Sequence, residues 1–203
     1  FNTIRKGNAV IEAQLDAGFE SGSGFREAFS RTFGEAPNKS RKAVTFAMDW
    51  IDTPLGPMLA IADETHLHML EFVERKKLQE HVDRYRKVFN ATVLPGDTKA
   101  LKLIRKELAD YFAGKTLDFK SKIAGAGTEF QNDVWSELRR VPPGVTRSYQ
   151  EMAERIGRPT AVRAVANANR LNRCAIILPC HRVIGSDGTL TGYAGGLWRK
   201  QWL

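Results

Sequence analysis

Cys180 and His181 stand side by side in IILPCHRVIG, Ile176 to Gly185. Three chemistries fit such a pair: a nucleophile with its base, two metal ligands, or a small buried thiol beside a chance imidazole. Pro179 closes the apolar run, and His181 and Arg182 follow at once. Cationic or basic neighbours lower a thiol's pKa and raise its thiolate fraction, which favours the nucleophile. A metal site needs three or four ligands, and the remaining histidines lie far away in sequence. A cysteine-protease-like hydrolase stays open, because its partner histidine can lie anywhere along the chain. Neighbours on an extended chain point to opposite faces, so a water bridge between Cys180 and His181 is expected instead of direct contact.

Arg163 is the next candidate. It falls in the first turn of a predicted helix, where a cation opposes the helix dipole by about 0.3–1 kcal/mol. In a helix-turn-helix those first turns face nucleic acid, so the arginine could contact phosphate, read a base or wedge between bases. An exposed arginine without a role is the alternative. His66 and His68 alternate along a predicted strand and read as surface positions. GKT at 114–116 hints at a phosphate loop, but Ala109 stands where that motif requires its first glycine, so the match is rejected.

The elements that must carry these residues follow from periodicity and caps. In 128–203, TEFQNDVWSELRRV reads as a helix capped by Thr128, with Phe130, Val134, Leu138 and Val141 on one face. Ser148 and Glu151 form a capping box at the start of the next helix, which stops at Gly157. Thr160 is expected to cap the helix TAVRAVANANR, completing a helix-turn-helix. CAIILP, 174–179, reads as the strand that delivers Cys180. In 43–122, two or three strand-like runs are broken by TPLGP and DET, followed by helices around Lys77–Val88 and Thr98–Phe112. Residues 1–42 read as two helices, AVIEAQLDAG and SGFREAFSRTFG, around the turn FESGSG. Val10, Ile11, Gln14, Leu15 and Ala17 pattern the first, and Phe25, Ala28, Phe29 and Phe33 the second. Pro37 to Lys42 reads as a linker.

The 203 residues carry a net charge of +8 and are 42% hydrophobic and 27% charged, which reads as globular. Residues 1–42 hold seven basic and five acidic groups, 43–127 thirteen and twelve, and 128–203 eleven and six. Basic ends around a neutral middle suggest a polyanion partner, or else an arginine-rich solvated surface. No run approaches the ~18 apolar residues of a membrane span. The first residues lack an apolar signal core and an initiator Met, so a piece of a longer protein is expected. Cys174 and Cys180 are too few for a disulfide scaffold, and a reducing compartment is expected.

PCHRVIGSDGTLTGYAGG (179–196) resembles the active-site signature of the methylated-DNA–protein-cysteine methyltransferases, the O6-alkylguanine-DNA repair proteins. GTEFQNDVW, PPGVTRSYQEMAERIG, RAVANANRLN and YFAGKTLDF match that family in order and spacing, over roughly 44–203. Residues 1–42 resemble the second half of an AraC-type DNA-binding domain, and the arrangement is similar to the Ada-type adaptive-response regulators. The resemblance implies a ribonuclease-H-like α/β subdomain over 44–122 and a mainly α, winged-helix-like active-site subdomain over 128–203. A short all-α helix-turn-helix fragment precedes them.

It also implies stoichiometric, single-turnover transfer of an alkyl group from O6-alkylguanine, and from O4-alkylthymine, to Cys180 after base flipping. His181 would be the base acting through a water, Asn172 would order the turn before the cysteine, and Tyr149 would donate a hydrogen bond to the departing guanine. Arg163 would fill the gap left by the flipped base, with Thr160, Ala161, Arg170, Ser148 and Ser186 also on the DNA. Tyr149, Val183, Tyr193, Ala194, Gly195 and Gly196 would bound the base pocket, with main-chain carbonyls near Cys180 and Val183 reading the exocyclic amine. Asn169 lies where some relatives place an apolar residue. No cofactor and no metal are implied. The partner would be double-stranded DNA containing alkylated guanine, bound by a monomer in the bacterial cytoplasm at the nucleoid, with regulation of the alkylation response through 1–42. The family's relay glutamate would fall at position 207, beyond Leu203, so a truncated chain or weakened activation is expected. A non-catalytic damage sensor is the competing reading, and Cys180 argues against it.

Overall fold

The computed structural model describes residue 23, residues 44–125 and residues 127–203. The helix-turn-helix expected at 1–42 lies outside the described residues, except that Ser23 is helical where the turn was expected. The described chain divides into two compact units.

The first unit holds residues 44–47 and Gln79–Gly96. It contains the start of strand β1 (Val44–Ile51), nearly all of helix α1 (Leu78–Phe89) and strand β4 (Ala91–Pro95). Phe46, Tyr85 and Phe89 stack here with ring centroids 4.4–6.0 Å apart. Asn90, at φ 45°, ends α1 in the left-handed region that asparagine tolerates. Its carbonyl accepts the Val44 N–H at 3.2 Å and so aligns β4 beside β1. Sequence reading missed β4. Its five residues show no clear alternation, and only pairing with β1 makes them a strand.

The second unit, Met48–Leu78 with Asp97–Leu203, carries everything that follows. Strands β2 (Met58–Ala62) and β3 (Leu67–Phe72) form an antiparallel hairpin registered Met58 to Phe72 and Ala60 to Leu70, and β1 lies beside β2. Every residue of β2 and β3 is buried, so His68 is not the surface residue expected. A strand covered on both faces has no solvent side. His68 Nε2 instead lies 2.8 Å from Asp63 Oδ2, while Asp63 Oδ1 accepts the N–H groups of Thr65 and His66 at 2.7 Å. Helix α2 (Lys99–Phe112) is capped by Thr98 and buries Leu101, Ile104 and Leu108.

From residue 129 the unit is mainly helical. Helices α3 (Glu129–Arg139), α4 (Tyr149–Arg155) and α5 (Val162–Arg170) pack on one another through Val134, Leu138, Met152 and Val165, all fully buried. Thr128–Gln131 and Ser148–Glu151 close reciprocal capping boxes on α3 and α4. Thr160 does not cap α5. The Ala161 N–H donates to the Arg158 carbonyl at 2.9 Å, which closes a turn and makes Ala161 the N-cap, without a side-chain bond. Strand β5 (Arg147–Ser148) pairs in parallel with β6 (Val183–Ile184), and helix α6 (Leu197–Trp202) follows.

Candidate active site

The segment leading to Cys180 is a coiled turn, not the expected strand. Only Cys174 bridges to a strand, at Leu70 of β3. The Leu70 N–H donates to the Arg173 carbonyl and the Ala175 N–H to the Leu70 carbonyl, both at 2.8 Å. Beyond Ala175 the chain folds on itself. The Leu178 N–H donates to the Cys174 carbonyl at 3.0 Å and the Cys180 N–H to the Leu178 carbonyl at 2.7 Å. Ile176 sits at φ 71°, a conformation that strains a β-branched residue by about 1–3 kcal/mol. An apolar run looks alike whether it is a buried strand or a buried turn, so periodicity could not separate them.

Asn172 holds this turn from inside. Its Oδ1 accepts the Cys174 N–H at 2.9 Å, and its Nδ2 donates to the Leu178 carbonyl at 2.8 Å and to Cys180 Sγ at 3.1 Å. Residues Cys180–Arg182 then form a tight 3-10 turn, with the Arg182 N–H on the Pro179 carbonyl. The extended-chain argument for Cys180 and His181 therefore does not apply. His181 is buried, and neither ring nitrogen has a hydrogen-bond partner among the described residues.

Cys180 opens into a cavity of about 450 Å³. Of the expected pocket residues, Tyr149, Tyr193, Ala194 and Gly195 line it, as do Asn172 and Arg170. Val183 and Gly196 do not. Val183 is fully buried and its carbonyl accepts from Lys200 Nζ at 2.6 Å, while Gly196 turns the chain into α6 at φ 93°. His181 faces a neighbouring cleft of about 270 Å³ with Thr146, Lys200 and Leu203. Sequence reasoning missed Glu71 and Arg75 on the cavity wall, and Lys200 beside it. No local pattern marks a charge that tertiary packing will bury. Asn169 also lines the cavity, buried, with both amide atoms unpartnered among the described residues.

The expected DNA-facing residues fall in two places. Thr160 and Ala161 precede α5, Arg163 is exposed in its first turn, and Arg170 ends it, bonded to Asn167 Oδ1 at 2.8 Å. Ser148, which caps α4, pairs across β5 and β6 with Ile184, two residues before the exposed Ser186.

Burial pushes the Cys180 thiol up, while Asn172, Lys200 and Arg75 pull it back. The charges that oppose burial at the sulfur, Lys200 and Arg75, are distant from it in the chain. Burial, with Arg182 and Lys200, holds the His181 imidazole down to about 3, so it is neutral at pH 7 and only a weak base in the free protein. Burial drives the Cys174 thiol up to about 12, which leaves it inert. The Tyr149 phenol is raised by burial, stays protonated at neutral pH, and donates to the Thr191 carbonyl at 3.4 Å. Among the described residues no cluster of His, Cys, Asp or Glu could hold a metal ion.

Two family models match the chain: the 6-O-methylguanine DNA methyltransferase ribonuclease-like domain over residues 48–124 and the DNA binding domain of the same family over 129–203. The chain belongs to the 6-O-methylguanine DNA methyltransferase family. Among its relatives, the methylated-DNA–protein-cysteine methyltransferase of Methanosarcina barkeri is 44% identical over 159 residues, which cover 76% of this chain and 92% of that protein. The Salmonella typhimurium protein of the same description is 41% identical over 162 residues, covering 75% and 90%. The crystal structure of the Mycobacterium tuberculosis O6-methylguanine methyltransferase superposes with a TM-score of 0.67 at 39% identity, covering 78% of this chain and 90% of that one. The same M. tuberculosis protein in complex with DNA superposes at 0.65, with 39% identity and 78% and 89% coverage. The methyltransferase fold thus consists of an N-terminal ribonuclease-like α/β part and a helical DNA-binding part. Among the described residues no helix is long and apolar enough to cross a membrane.

Proposed function

We propose that this chain is a methylated-DNA–protein-cysteine S-methyltransferase, repairing DNA by moving the alkyl group of O6-alkylguanine onto Cys180. The observation that carries the reading is a cysteine sulfur held by the Asn172 amide at the wall of a cavity about the size of a small-molecule site. The alkylated oxygen is inside the stacked duplex, so the base must be flipped into that cavity. Arg163, on the exposed first turn of α5, fills the vacated stack. Thr160, Ala161, Ser148, Arg170 and Ser186 flank the duplex.

The sulfur attacks the alkyl carbon in line, an S–C bond forms, and the C–O bond breaks with its electron pair left on the guanine. His181, a weak base in the free protein, takes the thiol proton through a water once the negative charge of bound DNA favours its protonated form. The protonated Tyr149 phenol donates to the guanine ring and offsets the charge it acquires. Tyr193, Ala194 and Gly195 close the pocket. The thioether is not cleaved, so each molecule acts once. The finer reading, with O4-alkylthymine as a further substrate and residues 1–42 coupling self-methylation to transcription, rests on the sequence resemblance alone.

The test is incubation with a duplex containing O6-methylguanine, followed by mass mapping of the peptides. Stoichiometric methylation of Cys180, abolished in Cys180→Ala, is expected. A protein that leaves the duplex methylated, or that carries the methyl group elsewhere, sinks the proposal.

A further inference from the structure

Glu71, at the end of β3, and Arg75, just beyond it, have no part in the chemistry above, yet both line the cavity. They are 4% and 6% exposed. Two charges removed from water are tolerated only when hydrogen bonds satisfy the whole of each group. Arg75 Nη1 donates to Glu71 Oε1 and, at 2.9 Å, to the Asn172 carbonyl; Nη2 donates to the Arg170 carbonyl at 2.8 Å. Those carbonyls flank Leu171, the C-cap of α5. A helix end leaves such acceptors unsatisfied, and a cation is favourable there. One guanidinium therefore fastens β3 to the end of α5 and to the residue whose side chain holds the sulfur.

We propose that Arg75, braced by Glu71, is a positioning residue for Cys180: it fixes the main chain at Asn172 so that the Asn172 amide stays on the sulfur while α5 engages DNA. The proposal rests on the alkyl-transfer reading. Arg75 also acts on the thiol through charge, opposing the burial that raises it, together with Asn172 and Lys200. The other groups around Cys180 are the Tyr149 and Tyr193 phenols, which feel its charge, and His181 and Arg182 beside it in the chain. A brace that served the fold alone would alter stability and leave the reactivity of the thiol untouched.

Two reactions separate these roles. Iodoacetamide labelling of Cys180, mapped by mass over roughly pH 7 to 12, reads the thiol without DNA. Single-turnover transfer from an O6-methylguanine duplex reads the whole reaction, with thermal unfolding and duplex affinity measured alongside. Arg75→Met is expected to slow transfer by roughly ten- to a hundredfold, the scale of a small misplacement. Its labelling midpoint is expected to rise by about one pH unit, with duplex affinity retained. Arg75→Lys keeps the charge but cannot fork two carbonyls, so it should keep the midpoint and lose rate. A folded Arg75→Met with the parent's rate and midpoint overturns the proposal. If Arg75→Met does not fold, Arg75→Lys decides, and the parent's transfer rate in that variant overturns it equally. Failure of the unaltered protein to methylate Cys180 would count against the function, while labelling still judges Arg75.

Discussion

Asn172 makes the most consequential contacts of any single side chain, because one amide satisfies two main-chain groups and meets the reactive sulfur. Asn172→Ala strands the Cys174 N–H and removes one of the two donors to the Leu178 carbonyl, at about 1–3 kcal/mol for a buried group left without a partner. Urea unfolding should show that loss, and methyl transfer should slow beyond what the unfolded fraction explains. Asn169 presents the opposite balance. Among the described residues its buried amide has no partner, a state that stabilises nothing in the free protein. Asn169→Leu should raise the unfolding free energy by about 1 kcal/mol, while slowing transfer by altering the cavity wall. A lower melting temperature in that variant would show that the amide has a partner after all. Asn172 was legible from sequence by resemblance. The unpartnered state of Asn169 was not, since satisfaction of a polar group depends on neighbours distant in the chain.

At the scale of elements, caps divide what local sequence controls from what it does not. The Ser148–Glu151 box on α4 formed as its spacing required, because both partners lie within one turn. Ser148→Ala should cost about 1 kcal/mol in chemical denaturation. Thr160 failed as a cap because the turn from Arg158 to Ala161 consumed the residue before the helix could use it. Arg163 then stands exposed in the first turn of α5, against the dipole. Arg163→Ala should leave stability equal or higher by a few tenths of a kcal/mol, yet slow transfer from duplex more than from single strands. Equal losses on both substrates would remove the base-replacing role. Helix α6 shows the reverse limit. Arg199 and Lys200 look like a solvated end, but Arg199 bonds the carbonyls of Leu55 and Gly195 at 2.7 Å and stacks on Phe72. The pocket loop is shaped by a helix that charge alone would have placed in water.

For the whole molecule, burying a neutral imidazole makes stability depend on pH. The folded His181 binds a proton only near pH 3, whereas the unfolded chain binds it near 6.5. Above that pH both states are neutral and nothing is gained or lost. Below it the unfolded state takes up the proton first, so stability falls as pH drops from 6.5 toward 3. At pH 5 the loss is about 2 kcal/mol. Comparing unfolding free energies at pH 7.5 and 5, His181→Gln should lose less than the parent by about that amount. Parallel lines for the two proteins would mean that His181 is protonated in the fold.

Caps, helical periodicity and the CHR triplet were legible in the amino-acid sequence because each is settled within a few residues. The capped helices α3 and α4 and the candidacy of Cys180 needed nothing more, whereas the cap expected at Thr160 did not form. Tertiary structure decided the rest: that the apolar run before Cys180 is a turn clasped by Asn172, that ATVLP is a strand only beside β1, and that His68 is covered. It also decided the electrostatics. Arg75 and Lys200, more than a hundred residues apart, both oppose the burial that raises the thiol. Charge and burial act through space, and only the folded chain sets those distances.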